Sequence, residues 1–223
     1  MKLQDKELII FDLDGTLIDS GADLALALNA MLRELKRQEF SEDEIHTWVG
    51  NGAQTLVKRA LSGGILIDEN IDDSLFKEAL EIFLDSYKNN VCVKTTLYPH
   101  VRETLVSLHK NGYTMAIVTN KPFEFVAPIL STLKLDKYFS LILGGDSLKE
   151  KKPSALPLLH VCEKLNVSIE KGLMVGDSKN DILAAKAANM DSIGVTYGYN
   201  YGESIDLYKP NAIIDEFSKI TEL

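Results

Sequence analysis

Apolar residues in this chain follow two rhythms, and the change from one to the other divides it. Leu8-Ile9-Ile10-Phe11 is an unbroken apolar run of strand length, the pattern of a central strand buried on both faces. Next comes a long stretch in which apolar positions recur at helical spacing. Leu24, Leu28, Met31, Leu32 and Leu35 predict a helix over Ala22–Leu35. Ser41 and Glu44 have capping-box spacing and open a second helix, which Gly50 or Gly52 ends. Gln54–Leu61 continues helical until Ser62-Gly63-Gly64 breaks it, and Asp72–Tyr87 is a further helix. From Pro99 onward short apolar runs alternate with amphipathic stretches. Strands are predicted at Tyr113–Val118, Leu141–Leu143, Leu173–Val175, Ser192–Val195 and Ala212–Ile214. Helices fall at Val101–Asn111, Glu124–Leu133, Ser154–Leu165 and Asp181–Ala188. Such alternation predicts an α/β class with a parallel sheet covered on both faces. The helical stretch then reads as an insert over 17–90, within a core made of 1–16 and 91–223.

Composition narrows the possibilities. The chain has 223 residues, 45% of them apolar, enough for a substantial core. Its net charge of −9 argues against a nucleic-acid partner, whose footprint would be basic. No apolar run approaches the roughly 20 residues that cross a bilayer, and Met1–Glu7 lacks a signal-peptide pattern, so no membrane partner and a cytoplasmic location are expected. Cys92 and Cys162 are too few for a disulfide framework or zinc site. A monomer or homodimer is expected.

The candidate chemistry gathers where predicted strands end. Asp12 and Asp14 follow the first strand as an i, i+2 pair, with side chains directed to the same side of an extended end. Two such carboxylates repel each other unless a cation lies between them. Thr119-Asn120 follows the strand at 113–118, and Asp177 and Asp181 follow the strand at 173–175, while Lys151-Lys152-Pro153 precedes a helix. Ligands in open α/β sheets bind at the carboxyl edge of the strands. If these strands are neighbours, the groups meet. An all-oxygen, carboxylate-rich donor set suits Mg²⁺ with a phosphate co-ligand. Thr119 adds a hydroxyl, Lys152 a point charge, and the Gly15 region backbone donors.

Asp12-x-Asp14-Gly15-Thr16, Thr119-Asn120, Lys152-Pro153 and Gly176-Asp177-Ser178-x-x-Asp181 together resemble the four motifs of the haloacid dehalogenase superfamily of phosphatases. Thr47–Gly52, Thr119–Pro122 and Tyr197–Glu203 are similar to the branch of that superfamily that hydrolyses 2-phosphoglycolate. The resemblance implies a Rossmann-like, three-layer core with the helical insert as a small cap. It also implies roles. Asp12 attacks phosphorus and carries an aspartyl-phosphate; Asp14 is the general acid and then base. Mg²⁺ is held by the Asp12 carboxylate, the Asp14 backbone carbonyl and Asp177. Thr119 and Lys152 hold phosphoryl oxygens, with Gly15 and Asn120 beside them, and Asp181 supports the metal shell and Lys152. The implied reaction is Mg²⁺-dependent hydrolysis of a small phosphate ester, most closely 2-phosphoglycolate. The alternatives are another small phosphate, a phosphosugar mutase, or a phospho-ligand binder without turnover.

Two departures from the family pattern stand out. Lys152-Pro153-Ser154-Ala155 replaces the usual Lys-Pro-x-Pro, with Pro157 further on, and Asn189 stands where glycine often closes the helix. Ser178 reads as a helix cap, Trp48 as core, and the four histidines as scattered singletons. Asn51, between Gly50 and Gly52, is the insert position expected to recognise a small carboxylate.

Overall fold

The computed structural model describes residues 1–223 throughout. Its centre is β1 (Leu8–Phe11), whose four residues are fully buried. Ile9 and Phe11 feed one hydrophobic cluster and Leu8 and Ile10 another, so alternate residues serve opposite faces of the sheet. A two-residue strand, β2 (Ile18–Asp19), leads into four helices: α1 (Gly21–Glu34), α2 (Glu42–His46), α3 (Ala53–Ser62) and α4 (Asp73–Asn89). The chain returns through β3 (Thr96–Leu97) and α5 (Val101–Lys110). After that, β4 (Thr114–Val118), α6 (Phe123–Thr132), β5 (Leu141–Leu143), α7 (Leu156–Leu165), β6 (Gly172–Gly176), α8 (Lys179–Ala187), β7 (Asp191–Val195) and β8 (Ala212–Ile214) complete the fold.

The large sheet is parallel throughout, in the order β5-β4-β1-β6-β7-β8. Register places Phe11 beside Ile117 of β4 and Val175 of β6. The polar residues that follow these three strands therefore share one edge. The chain proceeds outward from β1 through β4 to β5, then resumes on β1's other side with β6, which makes this edge a topological switch point. Helices α5 and α6 cover one face, through Leu105, Leu108, Val126 and Ile129. The other face is covered by α7 and α8, through Leu158, Val161, Ala184 and Ala185.

Helices α1–α4 have an apolar cluster of their own, built on Leu28, Met31, Trp48, Val57 and Phe83 and extended by Phe125 of α6 and Tyr199. The sequence pattern contained no sign of β2 and β3. They pair antiparallel, Ile18 with Leu97 and Asp19 with Thr96, where the chain leaves the sheet and where it returns. Two residues per strand are too few to show a period. Beside them, fully buried Asp23 accepts hydrogen bonds from the N–H groups of Val93, Lys94 and Thr95 and from the Thr95 hydroxyl at 2.7–3.0 Å. This fastens the returning strand to α1.

Local signals account for several boundaries. Ser41 and Glu44 form the reciprocal capping box expected of them. Helix α2 stops at His46, short of the glycines, because Thr47 bonds back to the Glu44 carbonyl and Trp48 turns into the core. Gly63 closes α3 at φ 75°, and Asn189 takes the left-handed conformation after α8. The latter helix starts two residues earlier than the pattern suggested, because Ser178 and Asp181 make a second capping box. No helix is long and apolar enough to cross a membrane.

Candidate active site

Three carboxylates meet at the switch point. Oxygens of Asp12, Asp177 and Asp181 lie within 4.8 Å of one another, and all three residues are buried. Asp12 comes from the end of β1, Asp177 from the end of β6, and Asp181 from the first turn of α8. The Lys152 ammonium, 2% exposed as a residue, sits among them, 2.9 Å from Asp12 Oδ1 and 2.6 Å from Asp181 Oδ1. The other Asp181 oxygen accepts the Ser178 N–H and hydroxyl, so the helix cap fixes this carboxylate. Asp177 accepts the Thr16 hydroxyl at 2.8 Å on one oxygen and the Tyr199 N–H at 2.7 Å on the other. The N–H of Leu13 donates to Asp12 Oδ1, whereas no protein hydrogen bond engages Oδ2.

Electrostatics reflect this crowding. Burial pushes the Asp12 carboxyl up to about 7; Lys152 pulls it back and Asp181 adds to the rise. Asp177 is raised well above the usual carboxylate range, first by burial and then by Asp181 and Asp12. For Lys152, burial disfavours the charge, yet its two carboxylate neighbours more than compensate and raise it. Three carboxylates against one ammonium leave a formal excess of two negative charges. A divalent, oxygen-seeking cation fits both that charge and that donor set.

Asp14 is built differently. Its Oδ1 accepts the Ser20 hydroxyl at 2.5 Å and the Lys121 ammonium at 3.0 Å, and Lys121 lies 3.3 Å from Oδ2. Its side chain is thus held by another set of partners than the three clustered carboxylates. Lys121 is buried, with its ammonium 4.7 Å from the centre of the Tyr87 ring. Burial works against the Lys121 charge, but Asp14 and then Tyr87 hold it above the ordinary lysine value. A cavity of about 40 Å³ joins Asp12, Asp14, Thr119 and Lys121 to the helical segment, where Leu56, Phe83 and Tyr87 line it.

The remaining expected positions fare differently. Thr119 and Asn120 line the cavity. Thr119 Oγ1 accepts the Lys121 N–H, and the Asn120 amide donates to the Lys152 carbonyl at 3.1 Å and the Gly50 carbonyl at 3.4 Å. Gly15 contributes through its backbone shape. Its own N–H is taken by the Ile18 carbonyl within the turn, so it offers no donor of its own to a phosphoryl group. What it offers is space, because at φ 88° any side chain there would run into the Asp177 carboxylate. Asn51 sits in a loop that reaches the cavity through its flanking glycines. Gly50 and Gly52 border the cavity, but the Asn51 side chain does not. Its backbone carbonyl accepts the Lys151 ammonium at 2.8 Å, because the glycines turn the loop so that main chain faces the sheet.

Sequence reasoning gave no role to Ser20 or Asn180, and placed Thr16, Lys121 and Tyr199 in family-like stretches without a role for each. Asn180 donates to the Gly50 carbonyl and Tyr201 hydroxyl. Besides its N–H on Asp177, Tyr199 accepts the Ser20 and Gly21 N–H groups on its hydroxyl at 3.0 Å and donates that hydroxyl to Asp19. A signal existed for Lys121, a lysine directly after a strand-end Thr-Asn; the tyrosine contacts join positions about 180 residues apart and leave no local trace.

A parallel sheet whose switch point gathers carboxylates from two neighbouring strand ends, with a lysine between them, defines a class. The family model "Haloacid dehalogenase-like hydrolase" matches residues 9–195, and the chain belongs to that family. Within it, the chain is 53% identical to a phosphoglycolate phosphatase of Colwellia psychrerythraea over 99% of its own length and 97% of the relative's. A phosphoglycolate phosphatase of Psychrobacter arcticus is 48% identical, over 98% of this chain and 95% of that one. The crystal structure of a predicted phosphoglycolate phosphatase from Haemophilus somnus superposes with a TM-score of 0.90 at 42% identity, covering 98% of this chain and 97% of the other.

Proposed function

We propose that this protein hydrolyses small phosphate monoesters through an aspartyl-phosphate, with 2-phosphoglycolate as its substrate. The observation that carries this reading is the division of labour among the carboxylates: Asp12 belongs to a buried, cation-hungry cluster, while Asp14 is held apart by Ser20 and Lys121. The identity to relatives named phosphoglycolate phosphatase supports the substrate. So does the cavity, whose walls beyond Lys121 and Tyr87 include Leu24, Leu56, Phe83 and Phe125 and offer few partners to the hydroxyls of a sugar phosphate.

In this reading the free Oδ2 of Asp12 attacks phosphorus in line, and the bond from phosphorus to the ester oxygen breaks. Asp14 gives its proton to the departing alkoxide, which leaves as glycolate. Water then attacks the phosphoaspartate, and Asp14, now ionised, takes the proton of that water. The bond from phosphorus to the Asp12 oxygen breaks, which restores the Asp12 carboxylate and releases inorganic phosphate. Lys152 and the Thr119 hydroxyl hold phosphoryl oxygens, and Lys152 favours the ionised form of Asp12 against the burial that opposes it, with Asp181 fixing that ammonium in place. Mg²⁺ would be held by Asp12, Asp177 and the Asp14 backbone carbonyl, where it supplies charge neutralisation between nucleophile and phosphate. Residues 17–90 act as a cap over a core formed by 1–16 and 91–223, with β2 and β3 as the crossing. We place the enzyme in the cytoplasm.

The test is release of inorganic phosphate from a panel of small phosphate esters with and without Mg²⁺. Cation-dependent release that is greatest for 2-phosphoglycolate is expected. A panel on which no ester is turned over sinks the proposal.

A further inference from the structure

We propose that Lys121 and Tyr87 form the subsite for the carboxylate of the substrate, so that this pair, rather than the Gly50-Asn51-Gly52 loop, selects phosphate esters bearing a carboxylate next to the ester carbon. The inference rests on the hydrolase reading above and deepens it.

Lys121 follows Thr119-Asn120 at the strand edge, and Tyr87 lies in the last turns of α4, so the subsite is assembled from both sides of the cavity. An ammonium has three N–H donors. The hydrogen bonds Lys121 makes with its ammonium go to a single side chain, Asp14. The Tyr87 hydroxyl is buried beside the Lys121 ammonium but makes no well-aligned hydrogen bond with it or with any other group, and its ring lies under that ammonium at 4.7 Å. A buried phenol left unpaired is costly, and an anion arriving beside it removes that cost. The remaining neighbours are apolar: Tyr87 packs edge-on to Phe125 at 5.0 Å and parallel to Phe83 at 6.0 Å. A charged group entering this end of the cavity finds Lys121 and Tyr87 as its partners, in surroundings where a charge-assisted hydrogen bond is strong.

Substrate geometry matches. Asp14 must reach the ester oxygen to protonate it, and Lys121 is 3.0 Å from Asp14. In 2-phosphoglycolate a single methylene separates the ester oxygen from the carboxylate carbon, which puts a carboxylate oxygen about 3 Å from the ester oxygen. A lysine that touches Asp14 is therefore within reach of that carboxylate as well. Asn51, by contrast, keeps its side chain off the cavity.

The experiment compares kcat/KM for 2-phosphoglycolate and for ethyl phosphate, an ester of similar size without the carboxylate, in the Mg²⁺-loaded enzyme. Both alkyl esters need Asp14, so a variant that merely disturbs Asp14 lowers both rates and leaves their ratio unchanged. Wild type is expected to prefer 2-phosphoglycolate. Lys121→Met is expected to cut that preference about 10- to 100-fold and Tyr87→Phe about 3- to 10-fold, both through KM. Tyr87→Phe removes only one oxygen, so it remains decisive if Lys121→Met fails to fold. The inference is overturned if the ratio holds in both variants, if wild type shows no preference, or if Asn51→Ala shifts the ratio while these two do not. A wild type that hydrolyses neither ester overturns the hydrolase reading itself and takes this subsite with it.

Discussion

Replacing Lys152 by methionine probes the charge balance on which the site depends. Methionine has nearly the same length and fills the space, so the change is mainly one of charge. At an effective dielectric of about 20, an ion pair at 2.9 Å or 2.6 Å has a gross attraction of roughly 6 kcal/mol. Desolvation of the buried ammonium opposes this, and breaking such a pair typically costs about 3–5 kcal/mol net. The sign with pH follows from Asp12. Its folded-state value, raised from 3.8 to about 7, means that the folded protein keeps a proton which the unfolded chain has lost. Stability without metal therefore declines as pH rises from about 4 through about 7. Lys152 moderates that decline, and its removal deepens it. In urea unfolding of the metal-free protein, Lys152→Met is expected to cost about 3–5 kcal/mol near pH 8 and clearly less near pH 5. Millimolar Mg²⁺ should restore much of the loss near pH 8. An equal loss at both pH values, untouched by Mg²⁺, would refute the idea that this lysine balances the carboxylates.

The other expectations are simpler to state. Asp12→Asn should lower kcat by at least about 10⁴-fold and eliminate any trapped phosphoenzyme in rapid-quench experiments, because the attacking oxygen is gone. Asp14→Asn should cost about 10³-fold on an alkyl phosphate and far less on the first turnover of p-nitrophenyl phosphate, whose leaving group needs no proton; equal losses would deny it the role of acid. Mg²⁺ binding should weaken as pH falls through about 7 and release protons into weakly buffered solution, since the cation displaces the proton on Asp12; calorimetry in buffers of different ionisation enthalpy measures this. Asp23→Ala should lower stability by about 1–3 kcal/mol, because the N–H and hydroxyl of buried Thr95 lose their acceptor while the exposed N–H groups of Val93 and Lys94 turn to water, and denaturant unfolding reads it directly.

Much of this molecule was legible because its determinants are local. The continuous apolar run of Leu8–Phe11 suits a strand buried on both sides, and the acidic pairs after it and after Val175 lay at strand ends by position alone. Capping at Ser41 and Ser178 could be inferred from spacing. The unread features depend on distant partners. Nothing near Asp23 in sequence announces that it will receive the N–H groups of Val93–Thr95, nor does Ser20 announce its bond to Asp14. At Asn51 the sequence shows only part of the picture: two flanking glycines imply close approach, but not whether side chain or main chain makes it.

Tyr199 binds with both of its ends. Its main chain grips Asp177, and its phenol receives the first turn of α1. A swing of the helical lobe away from the sheet must therefore either break the two bonds at Ser20 and Gly21 or pull on the loop that steadies Asp177. The docking of α1 against the sheet edge and the setting of the Asp177 carboxylate are in this way mechanically linked.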